Sequence, residues 1–244
     1  MRIILILSGL LIYSLGFAQN PTAQQILDQI DKNMSSKNRV YTSEMIVHSA
    51  RGSRSMEMKS WTAGDNQSFS EYLAPAREKG TKMLKLEDKL WMYSPSTDRI
   101  IRISGHMLRQ SVMGSDLSYE DMMEDRKLQD IYNAELVGTE DVEGTECYVI
   151  DLKAKVSDVA YHGRKIWVDK SKLIPLKEEL YAKAGKLLKR TVMSDVKKIE
   201  GRWFPTKIHY KDMLKKGDGT EFIITEIQFN VDIPDYIFTK AALK

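Results

Sequence analysis

Midway along the chain the side-chain pattern changes period, and that change restricts the folds open to it. From Lys79 to Met123 the sequence reads KGTKMLKLEDKLWMYSPSTDRIIRISGHMLRQSVMGSDLSYEDMM. Its first half alternates and turns like a β-meander. Gly80–Glu87, Leu90–Tyr93 and Arg99–Ser104 read as strands, separated by turns at Asp88-Lys89 and Pro95–Asp98. Strand side chains alternate between faces, so Lys82, Leu84 and Leu86 point one way and Met83, Lys85 and Glu87 the other. Trp91 and Tyr93 likewise oppose Leu90 and Met92. Apolar groups on both faces require something to cover each side. The second half abandons this period: Met107, Leu108, Val112, Met113, Leu117, Met122 and Met123 are scattered around Gly114-Ser115-Asp116. Unbranched methionines adapt to irregular or changing partners. A curved sheet beneath a Met-rich flap is the expected arrangement.

The rest of the chain extends the sheet. Asn20–Ser36 is the clearest helix, with Thr22 and Gln25 spaced as a capping box and Ala23, Ile26, Leu27, Ile30 and Met34 forming one apolar stripe. Strand patterns follow at Val40–His48, Ser53–Ala63 and Gln67–Leu73. Beyond a short helix at Ser118–Glu124, hairpins resume at Ala134–Glu140 with Thr145–Leu152, and at Tyr161–Asp169 with Ile174–Tyr181. Leu187–Ile199 with Trp203–Tyr210 forms another, and Thr220–Phe229 precedes a tail at Pro234–Phe238. No composition shift, fixed repeat or low-complexity tract divides the chain. The expectation is mainly β: about ten or eleven strands in one curved antiparallel sheet, a single domain over residues 19–244.

Residues 1–18 are expected to be a signal peptide: Arg2, an apolar run over Ile3–Leu15, then Gly16-Phe17-Ala18, with cleavage after Ala18. The run is shorter than the roughly 20 residues that span a bilayer. Loss of Arg2 takes the formal charge from +3 to +2, too small a balance to imply nucleic acid as a partner. Cys147 is the only cysteine, so no intramolecular disulfide forms, and its apolar surroundings argue for an inert thiol. Neither a nucleophile elbow, a zincin helix, a P-loop nor a C-x-x-C pair occurs. His48, His106, His162 and His209 stand singly, which gives no metal-ligand spacing. Asp116, Glu120 and Asp121 beside Ser115 and Ser118 are read as helix-capping residues, with catalysis at Ser115 and Asp116 the competing reading. No catalytic residue, cofactor or metal is therefore assigned.

The run GTKMLKLEDKLWMYSPSTDRIIRIS, followed by MGSDLSYEDM, resembles the bacterial outer-membrane lipoprotein-sorting family, relatives of the periplasmic carrier LolA. The resemblance is most specific at Trp91, Tyr93, Pro95 and Arg99 and over Met113–Met122. It implies a half-open antiparallel β-barrel lined by apolar side chains and lidded by helices. It also implies a binding protein rather than an enzyme, located in the periplasm, that takes lipoprotein acyl chains or lipid toward the outer membrane. An inner-membrane transporter as donor, an outer-membrane acceptor and a monomeric state complete that expectation. Two other classes stay open: a lipid or envelope-signal sensor that regulates a membrane partner, and an exported hydrolase. Each methylene left in water costs about 0.8 kcal/mol, so an acyl cargo needs an enclosing cavity. The expected lining is Met45, Trp61, Phe69, Leu84, Leu86, Trp91 and Tyr93; the expected lid is Met107, Leu108, Val112, Met113 and Leu117. The choice of lining face is sensitive to register, because a one-residue slip reverses a strand.

Overall fold

The computed structural model describes residues 21–50, 52–124 and 126–244. The expected signal peptide lies outside the described residues. The first element, α1 (Ala23–Met34), begins where the capping box places it: Thr22 accepts from the Gln25 amide, and the Gln25 side chain accepts from the Thr22 amide. Its buried residues are Ala23, Ile26, Leu27 and Ile30, the stripe legible in the sequence.

Six strands follow as a meander: β1 (Asn38–Ser49), β2 (Gly52–Ala63), β3 (Gln67–Ala74), β4 (Lys82–Leu86), β5 (Lys89–Ser94) and β6 (Arg99–Ile103). The chain then leaves the sheet through two 3-10 turns, Gly105–Arg109 and Val112–Gly114, and two short helices, α2 (Tyr119–Met123) and α3 (Leu128–Ile131). A second meander returns: β7 (Tyr132–Val142), β8 (Thr145–Ala154), β9 (Gly163–Asp169), β10 (Pro175–Tyr181), β11 (Leu187–Ile199), β12 (Arg202–Asp212) and β13 (Gly219–Phe229). Last, β13 pairs with β1, giving one antiparallel sheet of 13 strands in the order β6-β5-β4-β3-β2-β1-β13-β12-β11-β10-β9-β8-β7. Each of the 13 strands overlaps a segment read as a strand in the sequence, so the total of ten or eleven expected fell short of the segments themselves; β4, β5 and β6 are the shortest stretch of the meander, at 5, 6 and 5 residues. The outermost strands β6 and β7 are not paired with each other, so the barrel stays half open.

Register divides the side chains into two faces. On one, a row runs through Leu136, Ile150, Ile166, Glu178, Thr191, Tyr210, Thr220, Val47 and Arg54, each directly opposite the next across neighbouring strands. Directly opposed residues in an antiparallel pair share a face. Helix α1 covers the β8–β9 end of this face, packing Ile26, Leu27 and Ile30 with Ile150, Leu152, Ile166 and Val168. Segment 104–131 covers the other end on its way from edge strand β6 to edge strand β7. The opposite face carries Val40, Trp61, Phe69, Leu84, Trp91 and Arg102 in register, and the C-terminal 3-10 turns Asp235–Phe238 and Lys240–Leu243 lie on it. Both faces are thus covered, as the apolar residues on each side of the central meander require.

Candidate functional site: the lidded face of the sheet

Beneath segment 104–131 the sheet presents Met45 and Val47 from β1, Met56 and Met58 from β2, Tyr72 from β3, Met83 from β4 and Leu90 from β5. All are buried, with Met56 and Tyr72 only 1% exposed. Val112 and Tyr119 are buried among them, and Met107, Leu108, Met113, Leu117, Met122 and Met123 pack against the same cluster. The five expected lid residues therefore meet on one apolar bed. Met122 and Met123, on α2, join them.

The expected lining divides. Met45 lies on this bed. Trp61, Phe69, Leu84, Leu86, Trp91 and Tyr93 do not: they form a separate cluster on the other face, with Ile237, Phe238, Ala242 and Leu243 of the tail. The tail is held there by Lys82 Nζ, which donates to the Ala242 carbonyl at 3.0 Å, and by the Lys240 ammonium 4.4 Å from the Trp91 ring centre. The physical reason is the alternation itself. Met83 and Met92, odd and even neighbours of the large residues, turn toward the lid, while Leu84 and Trp91 turn away. Size and aromaticity picked out residues of the face that the tail covers, and that tail is more than 140 positions away in sequence.

Polar contacts anchor the lid at its edges. The Arg54 guanidinium, at the end of the inner row, donates to the Met113 carbonyl. Met113 and Gly114 both have positive φ (48° and 70°), which turns the chain sharply at that contact. Asp116, 6% exposed, accepts from Thr220 Oγ1 at 2.9 Å and from the Asp212 amide at 2.9 Å. It is a tether from lid to sheet rather than a helix cap, contrary to the sequence expectation. Ser115 is fully buried, and its hydroxyl is engaged with the Leu117 backbone. Lys215 Nζ reaches Ser111 Oγ and the Ser115 carbonyl, and Lys85 Nζ donates to the Met122 carbonyl at 3.1 Å.

Where the apolar bed ends, a charged cleft begins. It lies between the lid and strands β9–β12, as two adjoining cavities of about 170 and 330 Å³ that share Asp116, Leu117, Glu120, Tyr161 and Lys189. Asp121 caps α2 through Ser118 and also pairs with Lys189 and accepts from Tyr161 Oη at 2.6 Å. Burial pushes its carboxyl up, but the Lys189 charge, with hydrogen bonds from Lys189, Ser118 and Tyr161, outweighs this and holds it below the ordinary carboxylate value. On the floor, Arg164 pairs with Glu178 at 3.1 Å and donates through Nε to Tyr132 Oη at 3.1 Å. Tyr132 Oη in turn donates to the Tyr161 carbonyl at 2.6 Å. None of Tyr161, Arg164, Glu178, Lys189 or Tyr210 carries a local sequence signal, because they come from four strands and their approach.

Cys147 is fully buried on β8. Burial, with the carboxylates of Asp169, Asp141 and Glu146, pushes its thiol up to about 11. Among the described residues no group of three or more His, Cys, Asp or Glu side chains is arranged to hold a metal.

Known proteins share this arrangement. A family model described as "Uncharacterized protein" matches residues 64–244, most of the chain. Among curated proteins none matches in sequence. A crystal structure of a DUF1329 family protein from Desulfovibrio piger superposes with a TM-score of 0.82 at 25% identity, covering 91% of this chain and 99% of that one. A LolA superfamily protein from Nitrosomonas europaea superposes with a TM-score of 0.74 at 26% identity, over the same shares. The chain belongs to the family that this family model describes, and its fold is LolA-like. An outer membrane lipoprotein-sorting protein domain from Vibrio parahaemolyticus has the same fold, with a TM-score of 0.78 at 22% identity over 91% of this chain and 99% of that one.

Proposed function

We propose that this chain is a carrier that accepts the acyl chains of lipoproteins or lipids on the lidded face and delivers them toward the outer membrane. It acts by binding rather than by catalysis, in the periplasm, reached through the signal peptide expected at residues 1–18. An inner-membrane transporter hands over the cargo and an outer-membrane acceptor receives it. One observation supports this reading above the others: the apolar bed is filled by side chains of a separable segment. Seven aliphatic lid residues, four of them Met or Leu outside the α-helices, occupy the place an acyl chain would take. Left empty, such a bed would cost about 24 cal/mol per Å³. Lid residues that fill it in the unloaded protein and withdraw on loading keep the two states close in free energy. Methionine suits this, since it repacks against different shapes. The names of the Vibrio and Nitrosomonas relatives agree with a sorting role.

Native mass spectrometry of the protein purified from a periplasmic extract, with solvent extraction of what accompanies it, tests the proposal. A co-purified lipid or acylated peptide is expected. Delipidated protein should take up a palmitoyl probe, Met58→Glu should abolish uptake, and Leu86→Glu, on the tail face, should leave it intact. A folded wild-type protein with neither bound lipid nor probe uptake would refute the carrier reading.

A further inference from the structure

The β12–β13 loop breaks the usual pattern of a polar turn. Leu214 is 60% exposed and Met213 39%, side by side at its tip, with Lys211, Lys215 and Lys216 around them. The tip is built rather than frayed: the Leu214 amide donates to Asp212 Oδ1 at 2.9 Å, and Lys211 Nζ donates to the Lys215 carbonyl at 2.8 Å. The Met213 amide donates to the Leu188 carbonyl at 2.9 Å, which sets this loop beside the β10–β11 turn and its exposed Lys183 and Lys186. Together the two loops and the adjoining end of β12 carry five lysines against two aspartates, Asp212 and Asp218, in a chain whose whole formal charge is only +3.

This basic, apolar-tipped surface is continuous with the cleft. Leu188, Leu214, Lys215 and the exposed Arg109 also line the 330 Å³ cavity, whose inner wall is Leu117, Tyr161 and Lys189. Lys215 additionally holds the lid through Ser111 and Ser115. We infer that the Met213–Asp218 and Ala182–Lys186 loops dock the protein on an anionic phospholipid bilayer, with Met213 and Leu214 entering the interface. Lysine stems lie along apolar surface while their ammonium groups reach phosphate, and two adjacent exposed apolar side chains gain by leaving water. Docking in this orientation puts the cleft mouth against the bilayer, so a lipid reaches the lidded face without crossing water. The inference extends the carrier reading but is separable from it.

Co-sedimentation of the delipidated protein with phosphatidylcholine vesicles, with and without phosphatidylglycerol, tests the docking. Binding is expected only with the anionic lipid and should weaken in high salt. Lys183→Glu with Lys216→Glu, and separately Leu214→Asp, should each weaken it about tenfold. Lys197→Glu with Lys198→Glu, at the opposite end of β11, should not. All three positions altered for loss are solvent-facing turn residues, and circular dichroism checks that each variant is folded. No vesicle binding, or binding indifferent to both sets, would overturn the docking surface, even if palmitoyl uptake from solution stands. Vesicle binding without uptake would sustain the docking surface and sink the carrier.

Discussion

At the residue scale the lid depends on charges that meet only after folding. Asp121 is the clearest case. Its folded carboxyl lies below its unfolded value of about 3.9, so the folded protein binds that proton less readily than the unfolded chain. The contribution is therefore fully present above about pH 4 and is lost as pH falls through the folded value. Acid titration of the Tm should show a loss below about pH 4 that Asp121→Asn reduces. The same variant should cost about 1–3 kcal/mol near neutral pH, because Lys189 and the Tyr161 hydroxyl lose a charged partner. An unchanged acid limb would mean that the ion pair does not hold the lid. Gly114 illustrates a different constraint. Its φ of +70° suits glycine, and a Cβ there would come within 2.7 Å of the Arg54 guanidinium that grips the preceding carbonyl.

At the scale of elements, three coverings do distinct work. Helix α1 is cemented by Ile26, Leu27 and Ile30, buried on the β8–β9 end. The lid has fewer buried apolar side chains, with Val112 and Tyr119 its buried members of the cluster, so its attachment rests more on tethers at Arg54, Asp116, Asp121 and Lys215. The tail is a third covering, on the outer face: Leu243 is fully buried against Phe69, Leu84 and Trp91. Truncation after Ile233 should therefore expose an apolar patch. Losing the buried leucine alone should cost about 2–5 kcal/mol. The expected readings are a lower Tm and stronger binding of a hydrophobic dye, with palmitoyl uptake by the folded fraction retained. Loss of uptake in a fully folded truncation would place cargo on the tail face instead.

At the scale of the whole molecule, one open sheet has two edges and a middle. Strand β6 is only 5 residues long and carries Arg99 and Arg102, while β7 is bulged between Leu136 and Gly138 and carries Glu135, Glu140 and Asp141. Short, charged or bulged edges resist pairing with another chain. The centre, by contrast, is β2-β1-β13-β12, in which β1 pairs along nearly its whole length with both neighbours. Amide hydrogen exchange should be slowest in β1 and β13 and fastest in β6, in the outer half of β7 and in the lid. A lid as protected as β1 would contradict a covering that withdraws.

Much of this architecture was legible in local chemistry. The Thr22–Gln25 box and its apolar stripe specify α1, and alternation broken by short polar turns specifies the hairpins, because both signals act between residues a few positions apart. The change of period at Met107 likewise marked the segment that leaves the sheet and packs on its inner face, and the double-sided apolar pattern of β4 and β5 required a covering on each face. What no local signal contains is which covering meets which face. Leu84 and Met83 are neighbours with equal claim to a cavity; the chain's last residues bury the first and the lid buries the second. The cleft is more distant still, since Lys189 and Tyr161 stand 68 and 40 positions from Asp121. Those contacts exist only because β13 closes onto β1 and carries the second meander, with its charged inner row, beneath a lid that begins in the first. Periodicity determined the elements; long-range pairing decided which sides of them face each other.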